Sequence, residues 1–198
     1  KAAQEAYAEA QQDFERALSL REQIQDSAGI SAALNLLGEL YFHEKNYQQA
    51  LACYHRSLRI QTVLQNQPEI ARDLNSIGLV YLAMDSTTKA RSEYFDKALL
   101  IRDDLPDRAA RAATLSNIAD TYMREDDFQK ALVHYTYALR NQTALGDSSA
   151  KTFYDIGLAH YQLEEYEDAI ESLETSLALS SQTPLDTVRR STYKLLSD

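Results

Sequence analysis

The chain has one cysteine, five glycines, three prolines and no tryptophan among its 198 residues. A single thiol, Cys53, excludes an internal disulfide and any multi-cysteine metal centre. Its neighbours Ala50, Leu51 and Tyr54 favour a buried structural thiol over a reactive one. With so few glycines and prolines the chain is free to form long helices. Pro68, Pro106 and Pro184 all fall between periodic segments, where a helix starts or stops. No continuous hydrophobic run approaches the roughly 18 residues required to cross a bilayer. Positive charge is also in deficit: 20 basic residues face 30 acidic ones, for a formal charge of −10. Attraction to phosphate backbones and anionic membrane surfaces therefore has the wrong sign, so neither nucleic acid nor a membrane is an expected partner. The chain opens on Lys1 with no signal-like hydrophobic stretch, which reads as a fragment, with the cytoplasm as the expected compartment.

Catalytic signatures are missing too. There is no Gly-rich phosphate loop, nucleophile elbow or cysteine cluster. His43, His55, His134 and His160 lack paired metal-ligand spacing, and His160 stands where an aromatic side chain is expected to pack. Acidic runs such as 125–127 and 164–165 fall at interhelix turns, where solvated caps are the default. No enzymatic activity, metal or cofactor is expected.

What the chain does have is an echo. Gly38 and Tyr41 return as Gly78 and Tyr81, then as Ala119 and Tyr122, and then as Gly157 and His160, at intervals of about forty residues. A period of this length, built from small, aromatic and Leu/Ile residues at fixed offsets, points to stacked helical pairs. In the unit spanning 31–64, Leu34, Leu37, Gly38 and Tyr41 mark one face of a first helix. Tyr47, Ala50, Tyr54, Ser57 and Leu58 mark one face of a second. The small residues let the two helices approach closely, and Ala10, Ala50, Ala90, Ala131 and Ala169 serve the same end from the second helix. Asn46 is placed to cap the second helix, with Ser86, Asp127 and Glu165 at the equivalent positions.

This pattern resembles the tetratricopeptide repeat over nearly the whole chain. Leu37, Gly38 and Tyr41, then Tyr47, Ala50, Tyr54 and Leu58, carry the family's signature. Ile118, Ala119 and Tyr122, then Phe128, Ala131, Tyr135, Ala138 and Leu139, repeat it. The last complete unit is weaker, with His160 for the usual tyrosine and Leu173 for the later aromatic. The resemblance implies an all-α fold, a right-handed superhelical solenoid of antiparallel helix pairs forming a single array over 1–198. Residues 1–30 supply the second helix of a truncated unit; 31–70, 71–111, 112–149 and 150–185 are complete units; and 186–198 begin a further unit or cap. Each unit exceeds the common 34-residue form by about six residues. The excess falls in 59–71 and 140–150, which implies longer second helices. Extended units of this kind are similar to Leu-Gly-Asn repeat scaffolds, kinesin light chains and bacterial peptide-sensing regulators.

One unit breaks the beat. Seven residues separate Ala50 from Ser57 and Ala131 from Ala138, but eight separate Ala90 from Ala98. One added residue turns the following face by about 100°, so Tyr94 and Phe95 cannot both keep the usual contact. A single-turn π-bulge between Ala90 and Ala98 absorbs the residue without ending the helix. The alternative is a longer entry turn over 85–88 with Arg91 in the small-residue position.

In proteins of this family the first helices line a concave groove. The matching polar and aromatic positions are Asn35, Glu39 and His43, then Arg72 and Asn75, then Ser116, Asp120 and Arg124, then Lys151, Tyr154 and Tyr161. Phe42, Leu79, Leu82, Met123 and Leu158 lie among them. Asn can bond both donors and acceptors of an extended backbone, and Arg and Lys can take carboxylates. Solvated helix faces also carry such residues, but Tyr154 and Tyr161 lie two turns apart on one face and are not needed for the repeat core. The expected role is a protein–protein interaction module that binds a peptide or helical segment of a partner in the groove. The alternatives are a regulatory or sensory domain acting on an intramolecular output domain, and a structural module that self-associates as a homodimer.

Overall fold

The computed structural model describes residues 2–145, 149–180 and 194–195, and every regular element among them is helical. The chain divides into two compact units, Lys1–Ile101 and Arg102–Asp198. The first contains α1 (Ala2–Gln23), α2 (Ser27–His43), α3 (Tyr47–Val63), α4 (Gln67–Ala83) and α5 (Thr87–Lys89). A π-helical segment, Ala90–Phe95, follows, and α6 (Asp96–Asp103) runs across the division between the units. The second unit continues with α7 (Arg108–Arg124), α8 (Phe128–Thr143), α9 (Ala150–Gln162) and α10 (Tyr166–Ser180). Within each unit the main packing is between chain neighbours: α2 with α3, α3 with α4 and α4 with the π segment, then α7 with α8, α8 with α9 and α9 with α10. The helix expected over 186–198 lies outside the described residues, except that Lys194 and Leu195 are helical.

The extra length of each repeat is shared by both helices of a pair. Residues 59–63 extend α3, whereas 67–70 begin α4, and α2, α3 and α4 have the same length of 17 residues. The first helices therefore begin about one turn ahead of the apolar stripe that marks them in the sequence.

Among the described residues, six turns are closed in the same way. Gln25, Lys45, Gln65, Asp85, Asp126 and Glu164 adopt the left-handed conformation, with φ between 55° and 62°. The next residue sends its N–H back to the preceding helix, as in Asn46 N to Tyr41 O at 2.8 Å and Asp127 N to Tyr122 O at 2.9 Å. This satisfies carbonyls that a helix end would otherwise leave unpaired. Asn46 and Asp127 then cap the following helices through Gln49 N and Lys130 N. Ser86 makes no side-chain cap bond, and the Glu165 carboxylate turns back to His160 Nδ1 at 2.7 Å. Asp26, Asp107 and Ser149 cap the first helices α2, α7 and α9.

Inside each pair the small residue of the first helix admits a large one from the second. A Cβ added to Gly38 would come within 2.6 Å of Tyr54 Cε1, and one at Gly157 within 2.7 Å of Leu173 Cγ. Ala50, Tyr54 and Ile77 are buried together in the first unit. Ala119, Ala131 and Tyr135 are buried together in the second. Cys53 is half-buried rather than fully enclosed. Burial still raises its pKa, against the pull of Arg56, which favours the thiol over the thiolate.

The off-beat interval forms a π turn, and the Asp96 N–H reaches Arg91 O five residues back. The longer turn carries Phe95 into the place that Tyr54 holds in the preceding pair: Phe95 is fully buried, and a Cβ on Gly78 would lie 2.4 Å from its ring. Tyr94 is displaced to one side and stacks on Tyr81, with centroids 5.1 Å apart. Only one of the two aromatics reaches the small residue.

Deleting Ser92, an exposed residue of the π segment, restores seven-residue spacing and sets the phenylalanine four residues after Ala90. That deletion should be tolerated, with an unfolding free energy within about 1 kcal/mol of the parent, and denaturant titration measures it. Tyr54→Ala should cost about 3 to 5 kcal/mol, and Ala50→Leu about 1 to 3 kcal/mol. Near-parental melting of either substitution would mean that the helix pairs do not pack as described.

Candidate functional site

In the first unit, α2 and α4 wall a cleft of about 570 Å³. Asn35, Glu39 and His43 line it from α2 and Arg72 from α4, with Phe42 and Leu79 as apolar neighbours. Four of the expected groove residues thus converge on one cavity. Asn75 lies on α4 but does not line it. Tyr54, almost fully buried, also contributes to the wall, and burial together with the nearby Glu39 charge raises its phenol pKa. Arg72 is held by Glu69 one turn earlier.

Asn35 is the unusual member of this cleft. Its side-chain Oδ1 and Nδ2 are both shielded from solvent without a well-formed hydrogen bond, as is Oδ1 of Asp73. The amide approaches Asp73 closely enough to lower its pKa but does not pair with it cleanly. Asp73 is fully buried. It accepts from Ser57 Oγ at 2.6 Å, Ser57 meets Ser31 at 2.7 Å, and Gln61 Nε2 donates to Ser31 at 2.7 Å. Burial raises the Asp73 pKa, with Ser57, Asn35 and Arg72 opposing it. None of Ser31, Asp73 and Gln61 stood out in the sequence; each looks like an ordinary helical polar residue until the helices meet.

In the second unit a polar cluster joins α7, α8 and α9. Tyr135 donates to Asp120 Oδ1 at 2.5 Å, and Lys151 Nζ meets Asp155 Oδ2 at 2.6 Å. Asp120 and Lys151 were expected site residues; Tyr135 and Asp155 join them. Ser116 and Arg124 lie one turn before and after Asp120 on α7, and Tyr154 adjoins Lys151. Tyr161 is half-buried and engaged edge-on by Tyr166 of α10 at 5.9 Å, so one of the two aromatics expected to be available for a ligand also supports its own helix pair.

Among the described residues, one group of side chains could ligate a metal. The donor atoms of His160, Glu165 and Asp168 lie within 4.8 Å of one another. Both carboxylates are exposed, and Glu165 is occupied by His160. The arrangement closes the α9–α10 turn.

Burial raises the Asp155 pKa from 3.8 to about 6; the Lys151 charge and hydrogen bond oppose the shift, and Asp120 adds to it. The folded chain therefore holds a proton that the unfolded chain releases, and stability falls as pH rises through that interval. Asp155→Asn should remove this contribution. Between about pH 4 and pH 6, urea midpoints should fall less steeply for the variant than for the parent, and parallel curves would exclude Asp155 as a titrating group in this range.

Comparison with known proteins agrees with this architecture. The tetratricopeptide repeat family model matches residues 29–94 and 110–182. The Tonsoku-like protein of Mus musculus is 24% identical over 190 residues, a match covering 85% of this chain and 14% of that protein. Among solved structures, the apo form of RapI gives a TM-score of 0.84 at 16% identity, covering 96% of this chain and 53% of that one. The Rap conjugation gene regulator of plasmid pLS20, solved in complex with a Phr peptide, gives 0.77 at 15% identity, covering 97% and 53%. The chain thus spans a small part of that curated protein and about half of each of these two Rap chains. Among the described residues, no helix is long and apolar enough to cross a membrane. Helix pairs on a forty-residue beat and a family match over most of the chain lead to one assignment: the chain belongs to the tetratricopeptide repeat family.

Proposed function

We propose that this chain is a protein-interaction module that holds a peptide or helical segment of a partner against its first-helix faces. The observation carrying this reading is the convergence of Asn35, Glu39, His43 and Arg72 on one cleft between α2 and α4. Glu39 and Arg72 offer charges of both signs to the side chains or ends of a bound segment. Arg72 and His43 add donors for a carboxylate or carbonyl, and Phe42 and Leu79 add an apolar surface for a side chain. In the second unit, Asp120, Lys151 and Tyr154 offer charges of both signs beside a ring.

The Rap regulator solved with a Phr peptide supports peptide as the ligand class and favours a second reading, in which occupancy regulates an output domain elsewhere in a longer protein. Both readings make the chain a binder and not a catalyst, and neither calls for a cofactor, nucleic acid or a membrane.

Panning a random peptide library against the chain tests the proposal. Enriched peptides should bind the parent and lose about tenfold or more in affinity to the double variant Asn35→Ala, Arg72→Ala, the scale of a lost hydrogen bond to a charged group, while its helical circular dichroism is unchanged. Failure to enrich any peptide, or equal binding by the double variant, would overturn the cleft as the binding surface.

A further inference from the structure

Both units contain a cleft where the first turn of one helix meets the last turn of its partner. In the first unit Ser27 of α2 faces Arg59, Ile60, Val63 and Leu64 around about 240 Å³. In the second, Arg108 and Arg111 of α7 face Arg140 and Asn141 of α8 around about 390 Å³, with Leu105 and Pro106 completing the wall. These are the same place in the repeat. The interval that carries Gly38 onto Ala119 carries Ser27 onto Arg108, Ile30 onto Arg111, Arg59 onto Arg140 and Ile60 onto Asn141. The repeat frame is therefore satisfied by serine and isoleucine at three of these positions, and the extra arginines have no packing role that the fold requires.

Their charges are also incompletely matched. Arg111 Nε lies 2.9 Å from Asp103 Oδ1, yet it is buried without a well-aligned hydrogen bond. Arg140 lies over the Tyr137 ring at 5.6 Å, and among the described residues neither it nor Arg108 is paired with a carboxylate. The Asp107 carboxylate accepts from Ala110 N as the cap of α7. Asn141 Nδ2 donates to Tyr137 O. Nearby, the guanidinium of Arg102 is buried and donates to Ala110 O and Thr114 Oγ1. Four guanidinium groups thus gather about one helix start, with Asp103 and Asp107 as the adjoining carboxylates, in a chain whose formal charge is −10.

We propose that the Arg108–Arg111–Arg140 cleft binds a single phosphoryl group, a site separate from the α2–α4 cleft. A phosphoryl group carries nearly two negative charges at neutral pH on three acceptor oxygens, which suits several guanidinium forks better than one carboxylate does. The acidic remainder of the chain selects for compactness. An extended polyanion meets repulsion along its length, whereas one phosphoryl group gains contacts well inside the Debye length of about 8 Å. Free phosphate and a phosphorylated side chain of a partner share this chemistry.

Titration calorimetry of the whole chain, with inorganic phosphate, a short phosphoserine peptide and its unphosphorylated form, tests the site and separates the two sources. Phosphate or phosphopeptide should bind, and the unphosphorylated peptide should not. Affinity for phosphopeptide above that for phosphate identifies a protein-borne group; equal affinity identifies the free ion. The double variant Arg108→Gln, Arg140→Gln leaves the Arg111–Asp103 pair in place and should lose at least about tenfold in affinity, the scale of one charge-assisted bond, with phosphate-free melting unchanged. Arg59→Gln, in the corresponding cleft of the first unit, should bind like the parent. If that double variant melts early, the conservative pair Arg108→Lys, Arg140→Lys keeps the charge, loses the forks, and should bind more weakly than the parent. Absence of binding by the parent, binding unaltered in the arginine variants, or an equal loss in Arg59→Gln would each overturn the proposal.

Discussion

The contact between a bare or nearly bare Cα on one helix and a bulky side chain on the next sets the geometry of every pair. Gly38 receives Tyr54, Gly78 receives Phe95 and Gly157 receives Leu173. A glycine inside a helix costs roughly 1 kcal/mol relative to alanine, but here a methyl group would have no room, and close approach buries the large side chain almost completely. The residues on either side follow from that contact. The ring one turn along the first helix, Tyr81 or Tyr122, is stacked on by Tyr94 or His134, and Lys89 or Lys130 also lies over it. The π turn preserves the same arrangement against a one-residue insertion: the backbone hydrogen-bond pattern changes so that the ring can reach its glycine.

Between successive pairs the interior varies more. In the first unit, Ser31, Ser57, Gln61 and Asp73 form a buried hydrogen-bonded chain. Where the second unit joins α9 to α10, the Ser176 hydroxyl instead donates to a backbone carbonyl, Ala150 O, at 2.7 Å. A fully satisfied polar chain fixes how neighbouring helices sit, whereas an unpaired polar atom in the same setting costs stability. The polar chain in the first unit is only partly satisfied, since Asp73 Oδ1 and Gln61 Oε1 are buried without a well-formed hydrogen bond.

The helix pairs, their small residues, the aromatic frame and the off-beat π turn were legible in the sequence because each depends on spacing along one or two adjacent helices. Helix length was less so: residues 67–70 and 108–111 extend first helices without adding to the apolar stripe, and only the capping turns mark where they begin. The candidate cleft was partly legible. Asn35, Glu39, His43 and Arg72 follow from their place on first-helix faces, but the approach of Asn35 to the buried Asp73 depends on how α4 packs against the preceding pair. The arginine cleft was hidden for a similar reason. Arg108 and Arg140 are far apart in the chain and each looks like a solvated helix-end residue; the antiparallel return of α8 makes them neighbours.

The turns carry a consequence of a different kind. Six of them place a residue with a side chain in the left-handed region, and those residues are Gln, Lys, Gln, Asp, Asp and Glu. Backbone bonds close each turn whichever residue occupies it, so identity at these points is nearly independent of the fold. Within a unit, a turn of this design can carry either sign of charge, as Lys45 and Asp85 do, and so change which surfaces it repels, with the helices and their packing left as they are.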